Sequence, residues 1–224
     1  MIPRHSLRPP TGSPIRVLLV DDSALVLTIL KRMLSTAPEI QVVGTARNGR
    51  EALELIPQLQ PAVICTDLHM PVMDGLELTR KVMRQHPRPI LVVSASVQEE
   101  NTQHIFRLLA AGAIDVCPKH RSGLVSEYAQ LTQELIGKIK ILADVVVVRQ
   151  HRNVSSVPTS PHTVRPVYTG PAAVRIVAIG ASTGGPQALQ TILTALPSDF
   201  RVPVLCVQHI SDGFLRGLVD WLAS

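Results

Sequence analysis

The sequence has few cysteines and few aromatic residues. The first shortage argues against a disulfide-bonded or cysteine-metal protein, and the second argues against an aromatic core. Its three cysteines, Cys65, Cys117 and Cys206, are an odd number, lie far apart and each fall within an apolar run. Buried thiols that act as small apolar side chains are therefore favoured over disulfides or a metal site, which indicates a reducing, cytoplasmic setting. Aromatic residues make up only 3% of the 224 residues, so the sequence predicts an aliphatic core.

Long apolar runs are also absent, and the first residues are not expected to form a leader. No run approaches the roughly 20 residues of a membrane-spanning helix, so no membrane insertion is expected. Residues 1–14 contain four prolines and no apolar segment, which is typical of a disordered tail rather than a signal peptide. The net charge is +5, with much of the excess between Lys138 and Arg175, where Tyr168 is the only aromatic. This pattern favours a solvated basic linker over a nucleic-acid surface.

Strand and helix patterns alternate regularly from residue 15 to about residue 143. Five apolar runs separated by helical patterns predict a doubly wound, five-stranded parallel sheet with helices on both faces. Periodicity is lost in 144–172, which is proline- and serine-rich and predicts a flexible linker. A second doubly wound parallel α/β domain is expected to start in 173–224. The apolar run 145–148 could close the last helix of the first domain or form a short strand.

Polar residues follow the predicted strands of the first domain at their carboxyl ends, where ligands of parallel sheets gather. They are Asp21, Asp22, Asp67, Ser94 and Lys119. Carboxylates brought together in this way tolerate one another around a divalent cation, and oxygen ligands favour magnesium or manganese. A lysine and a hydroxyl nearby could bind an added phosphoryl group. Any single acid could instead cap a helix, and Asp22 lies where an N-cap would.

Four segments resemble the two-component receiver domain: LVDDS at 19–23, DLHMPVMDG at 67–75, VSA at 93–95, and Lys119. The resemblance implies that Asp67 accepts a phosphoryl group from a histidine kinase. It implies that Asp21, Asp22, Asp67 and the carbonyl of His69 hold Mg²⁺, and that Ser94 and Lys119 are the switch residues. One departure is that receivers usually carry proline directly after this lysine, whereas here Pro118 precedes it.

In the second domain, Ser182 lies in the glycine-rich turn GASTGGP at 180–186, directly after an apolar run. A serine on a sharp strand-to-helix turn is exposed as a nucleophile requires. His209 follows the next apolar run, so a right-handed crossover would bring it beside the serine. The P-loop and dinucleotide patterns both fail, the first because Pro186 stands where lysine is needed. A purely structural turn is the remaining alternative.

The order of receiver, basic linker, GASTGGP and VQH at 207–209 resembles the chemotaxis protein-glutamate methylesterases. This resemblance implies hydrolysis of glutamyl methyl esters on methyl-accepting chemoreceptors, and glutamine deamidation, with a chemotaxis histidine kinase as phosphodonor. Ser182 would be the nucleophile and His209 the general base, while Thr183, Gly184 and Gly185 would shape the oxyanion site and the turn. The esterase would need no cofactor, and the receiver would cover its site until phosphorylated.

The acid that completes a Ser-His-Asp triad is not identified in the sequence. Asp199, Asp212 and Asp220 are read as surface carboxylates, and a family catalytic domain is longer than residues 173–224. We therefore expect that the catalytic domain is incomplete at its carboxyl end. The alternative function is a phospho-accepting interaction protein without esterase activity. A DNA-binding regulator is disfavoured because no helix-turn-helix pattern is found.

Overall fold

The computed structural model describes residues 13–94, 99–119, 125–147, 174–211 and 213–223. Residues 13–147 contain five strands that pair in parallel in the order β2-β1-β3-β4-β5. The strands are β1 (Ile15–Val20), β2 (Ile40–Ala46), β3 (Val63–Thr66), β4 (Ile90–Ser94) and β5 (Asp115–Pro118). The helices are α1 (Ala24–Leu34), α2 (Gly49–Leu59), α3 (Gly75–Gln85), α4 (Glu99–Ala110) and α5 (Val125–Ala143). The predicted five-stranded parallel fold is confirmed.

Aliphatic side chains fill both faces of this sheet, as the scarcity of aromatics predicts. Leu18, Val20 and Ile64 point into one buried cluster with α2, α3 and α4. Val17 and Leu19 point into the other cluster with α1 and α5. Central parallel strands covered on both faces have no solvent side, which explains their continuous apolar runs.

Local side-chain caps fix where several helices begin. Ser23 is the N-cap of α1, where its hydroxyl accepts a hydrogen bond from Val26 N at 3.4 Å. The alternative of Asp22 as that cap is therefore wrong. Asn48 and Asp74 cap α2 and α3 in the same way, which is the usual role of short polar side chains at this position. The sequence pattern predicts that the second helix ends at about Pro57, whereas α2 continues to Leu59.

A second unit, residues 174–223, contains β6 (Val177–Ala181), α6 (Gly185–Ala195), β7 (Val204–Gln208) and α7 (Leu215–Leu222). Strands β6 and β7 pair in parallel, as expected for the start of a second α/β domain. Leu205 and Val207 on β7 are 54% and 65% exposed. Cys206 between them is exposed as well, so the prediction of a buried thiol is wrong for this cysteine and holds for Cys65 and Cys117. The described part of this sheet therefore has two strands and a largely uncovered surface.

The second unit packs on the first through α7. Phe214 and Leu218 are buried and belong to the same apolar cluster as the helices of the first unit. Trp221 stacks on Phe106 of α4, with ring centroids 5.4 Å apart and planes at 25°. Large aromatic and aliphatic side chains thus form the contact between the units, and α4 is the helix that α7 meets most extensively.

Two lysines of the basic excess lie in α5, within the predicted first domain. Lys138 is buried and its Nζ lies 2.9 Å from Asp115 Oδ2, and Lys140 pairs with Glu39. Residues 144–147 are neither helix nor strand, although Val147 packs against the core. The predicted tail, up to residue 12, and the linker from residue 148 lie outside the described residues. Among the described helices, none combines the length and apolarity needed to cross a bilayer.

Lys138→Met should destabilise the first unit by about 3–5 kcal/mol, because it leaves the buried Asp115 carboxylate without its partner. Lys81→Met is the matched control, since Lys81 pairs with Glu77 one turn away on an exposed face of α3. A surface pair of this kind contributes about 0.3–0.5 kcal/mol. Urea unfolding of both variants measures the difference. Equal losses would contradict the buried ion pair.

Candidate functional sites

The carboxyl ends of β1 and β3 bring three carboxylates together. Asp21, Asp22 and Asp67 each offer an oxygen atom, and these atoms lie within 4.8 Å of one another. We call this group the acidic rim. Asp21 and Asp67 are buried and Asp22 is exposed. Such a set of oxygen donors suits a small, hard cation such as Mg²⁺.

Lys119 neutralises the two buried acids of the rim. Its Nζ lies 2.7 Å from Asp21 Oδ2 and 2.7 Å from Asp67 Oδ2. Pro118 ends β5 in register with Ser94, and Lys119 N donates to Ser94 O at 2.8 Å. The reversed order of proline and lysine therefore leaves the ammonium group at the rim. Ser94 is buried at the end of the neighbouring strand, as predicted.

The loop after Asp67 is tightly folded beneath the rim. Leu68 N donates to Asp67 Oδ1 at 2.7 Å, and Gly75 N donates to Leu68 O at 2.9 Å. A Cβ atom on Gly75 would lie 2.2 Å from Asp67 O, so only glycine fits. Val72 adopts a φ of 68°, which is unfavourable for a β-branched residue. The side chain of His69 is exposed on the same loop.

Burial raises the pKa of Asp67, because removing the carboxylate from water disfavours its charged form. Lys119 opposes this change through its hydrogen bond and its charge, and the neighbouring Asp21 adds to it. The folded protein therefore binds a proton at Asp67 more readily than the unfolded chain does. Ionised Asp67 is destabilising in the folded state.

The second candidate site lies at the carboxyl ends of β6 and β7. Ser182 Oγ lies 3.3 Å from His209 Nδ1, and His209 N donates to Ala181 O at 2.9 Å. The crossover thus brings together the two residues that the sequence paired. Both side chains are exposed. Acting as an acceptor, Nδ1 can take the hydroxyl proton of the serine, which is the geometry of a nucleophile and its base.

In the turn that carries Ser182, the two adjacent glycines Gly184 and Gly185 have different roles. Gly184 has a φ of 76° and is the N-cap of α6, so it adopts the left-handed conformation that favours glycine. Gly185 N donates to Ser182 O at 2.7 Å. A Cβ on Gly185 would lie 1.9 Å from Gln208 Oε1. Gly185 therefore serves the turn and its close packing, and Thr183 lies between the serine and these glycines.

Gln208 is a site residue that the sequence reasoning missed. Its Nε2 donates to Ser182 O and to His209 O, both at 2.8 Å. One amide group therefore links the nucleophile turn to the strand that carries the histidine. Its position directly before His209 was the available signal, but the partner 26 residues away is a tertiary contact that no local pattern reveals.

A cavity of about 720 Å³ lies between the Ser182 turn and the first unit. Thr183 and Gly184 line one wall, and Leu109, Gly112 and Ile114 line the other. Ser182 and His209 stay exposed, so the first unit borders the site in the part of the chain that the structure describes. That the first unit covers the site until phosphorylated stays a prediction. Of the acids considered for a triad, Asp212 lies outside the described residues.

Comparison with known families identifies both units. The response regulator receiver domain matches residues 17–125, and the CheB methylesterase family matches residues 177–224. The crystal structure of the response regulator domain of Thermotoga maritima CheB superposes with a TM-score of 0.53 and 34% identity. It covers 59% of this chain and 98% of that one.

Curated relatives match nearly the whole chain. Protein-glutamate methylesterase/protein-glutamine glutaminase 4 of Geobacter metallireducens is 41% identical over 211 residues, covering 93% of this chain and 60% of the relative. The protein-glutamate methylesterase/protein-glutamine glutaminase of Geobacillus kaustophilus is 41% identical over 214 residues, covering 93% and 59%. The chain therefore spans about 60% of the length of these relatives.

Asp67→Asn should stabilise the protein at neutral pH, because asparagine resembles the protonated carboxyl that the folded state prefers. Below the pKa of the unfolded chain both states are protonated, so the advantage should vanish there. It should grow as the pH rises through the raised pKa of folded Asp67. Urea unfolding of both proteins from about pH 4 to pH 8 measures it. An advantage independent of pH would contradict the raised pKa.

Gly185→Ala should loosen the link between Ser182 and His209, because the new Cβ would displace the Gln208 amide. Gly180→Ala is the matched control, since a Cβ there meets nothing within 4 Å. Amide hydrogen exchange at His209, whose N–H is bonded to Ala181 O, should quicken in the first variant and stay unchanged in the second. Identical exchange in both variants would show that the close packing at Gly185 is not needed.

Proposed function

Because this chain joins a response regulator receiver domain to part of a CheB methylesterase domain, we propose that it is a phosphorylation-regulated protein-glutamate methylesterase of chemotaxis signalling. We propose that the chain is divided as its sequence predicts, into a tail (1–14), a receiver domain (15–143), a linker (144–172) and a catalytic segment (173–224). The distance of 3.3 Å between Ser182 Oγ and His209 Nδ1 carries the catalytic half of the proposal.

In the receiver domain, Asp67 takes a phosphoryl group from a histidine kinase. Mg²⁺, held by Asp21, Asp22, Asp67 and the backbone carbonyl of His69, would offset the negative charge of the phosphoryl oxygens. Lys119 already contacts Asp67 and would pair with the phosphoryl group, while the Ser94 hydroxyl would donate to it. The grouping of three carboxylates around one lysine supports this assignment.

In the catalytic segment, Ser182 Oγ attacks the ester carbonyl of a methylated glutamate while its proton passes to His209 Nδ1. Amides of the 183–185 turn would face the oxyanion. The C–O bond to methoxide then breaks, and His209 returns the proton so that methanol leaves. Water repeats the sequence on the acyl-serine and releases the glutamate carboxylate. Glutamine side chains react in the same way and release ammonia.

The substrates in this proposal are the cytoplasmic helices of methyl-accepting chemoreceptors, and the phosphodonor is the chemotaxis histidine kinase. The glutamyl ester chemistry follows the names of the curated relatives. A cytoplasmic location fits the buried, reduced thiols of Cys65 and Cys117. We propose no nucleic-acid binding. Two lysines of the basic excess, Lys138 and Lys140, form ion pairs with acidic side chains of the receiver domain.

A second candidate is a phospho-accepting receiver whose catalytic segment hydrolyses nothing. The uncovered surface of β7 favours it, because a two-stranded sheet provides a less rigid platform for Ser182 and His209 than a full domain. Both candidates share phosphorylation at Asp67. They differ only in ester cleavage.

Methanol release from methylated chemoreceptor membranes distinguishes the two candidates. With a small phosphodonor and Mg²⁺, the chain should release methanol faster than without, and Ser182→Ala should remove that release because no nucleophile remains. Asp67→Asn should abolish phosphoryl labelling, while Ser182→Ala should label normally. Ser35→Ala serves as the matched control, since that hydroxyl bonds only the end of α1 at Arg32 O.

Phosphoryl labelling without methanol release would refute the esterase and support the second candidate, a receiver without ester hydrolysis. Labelling that persists in Asp67→Asn would contradict the phosphoacceptor assignment itself. Methanol release that persists in Ser182→Ala would contradict the nucleophile assignment.

A further inference from the structure

Two polar side chains of the catalytic segment reach across to the receiver domain, one beside each member of the Ser182–His209 pair. Gln187 lies in the first turn of α6, directly after the Ser182 turn, and Ser211 lies two residues beyond His209. Neither is needed for the ester chemistry. Each makes a hydrogen bond to a group of the receiver domain.

Gln187 binds the turn between α4 and β5. Its Nε2 donates to Leu109 O at 2.7 Å and also to Ala113 O. Leu109 lies in the last turn of α4, and Ala113 lies two residues before β5. A single amide group thus braces both sides of this turn. Gly112, at the centre of the turn, has a φ of 117°, and a Cβ atom there would lie 2.8 Å from Met83 Cγ.

The two ends of the same receiver segment lie at the phosphoacceptor. Ser94 ends β4, α4 follows after four further residues, and β5 leads on to Lys119. Lys119 N is bonded to Ser94 O, and Lys119 Nζ contacts Asp67. The segment from 94 to 119 is therefore closed at the acidic rim, and Gln187 holds its far turn. A helix and a strand, both rigid elements, connect the two places.

Ser211 provides a second contact that leads to β5 as well. Its Oγ lies 2.6 Å from Glu134 Oε1. Lys138 Nζ lies 3.7 Å from that same oxygen and 2.9 Å from Asp115 Oδ2. Asp115 is the first residue of β5. A buried ion pair thus ties the loop after His209 to the strand that ends beside Lys119.

We propose that Gln187 is the positioning residue through which the receiver domain sets the geometry of the Ser182–His209 pair, with Ser211 and Glu134 as the second contact. A phosphoryl group at Asp67 would bind Lys119 and Ser94, which are the two ends of the 94–119 segment. The turn that Gln187 binds, at the far side of this segment, would then change its position. The catalytic consequence rests on the proposed function. The docking itself does not, and it is measurable without ester cleavage.

The single tryptophan of the chain provides the measurement. Trp221 stacks on Phe106 of α4, the helix whose end Gln187 holds, so its fluorescence reports whether the catalytic segment stays docked. Gln187→Ala should shift the emission of the unphosphorylated protein to longer wavelength, and acetyl phosphate with Mg²⁺ should then add a smaller further change than in wild type. Gln187→Glu should shift it further, because a carboxylate would face two carbonyl oxygens.

Gln58→Ala is the matched control, since that amide donates to Glu54 O within its own helix at 3.2 Å. It should give the wild-type spectrum with and without acetyl phosphate. If a Gln187 variant fails to unfold cooperatively, Ser211→Ala tests the second contact in the same assay. Wild-type spectra from the Gln187 variants and from Ser211→Ala would overturn the inference.

The outcome also separates this inference from the proposed function. Wild-type protein that changes its Trp221 emission on labelling yet releases no methanol would refute the esterase and keep the positioning role. Methanol release that rises on labelling while Trp221 emission stays constant in every variant would support the esterase and refute the positioning role.

Discussion

The ammonium group of Lys119 is the charge on which the arrangement of the receiver domain depends. Two buried carboxylates at the ends of β1 and β3 repel each other and lose their hydration, so they need a cation between them. Lys119 supplies it at 2.7 Å from each. The strand that delivers this lysine, β5, is also the strand whose first residue pairs with Lys138. One short strand of four residues and the lysine directly after it therefore carry both buried charge contacts.

This arrangement makes the receiver domain sensitive to charge at one point and rigid elsewhere. The aliphatic clusters on the two sheet faces are close-packed and do not deform gradually. In the proposed function, a phosphoryl group at Asp67 would compete for the lysine, and helices and strands rather than mobile side chains would pass the response on. The catalytic segment meets the receiver at the end of that path, through α4, the α4–β5 turn and α5.

Much of the receiver could be predicted from the sequence, because its strands are continuous apolar runs and its functional groups stand directly after them. Asp21, Asp67 and Ser94 could be placed at one edge on that rule alone. Helix ends were less predictable: Pro57 does not end α2, since it falls too near the last turn to break many hydrogen bonds. The contacts of Gln187, Gln208 and Ser211 were not predictable, because their partners lie 26 to 78 residues away. The buried ion pair of Lys138 was not predictable for the same reason, since its partner lies 23 residues earlier.

The close approach of Gly75 to Asp67 has a consequence for how this loop can vary. The Asp67 carbonyl oxygen lies 2.2 Å from the place that a Cβ atom of residue 75 would take. A larger residue would fit only if the Asp67 backbone moved, and the Asp67 carboxylate would move with it. The choice of glycine at position 75 therefore fixes the place of a carboxylate eight residues earlier in the sequence.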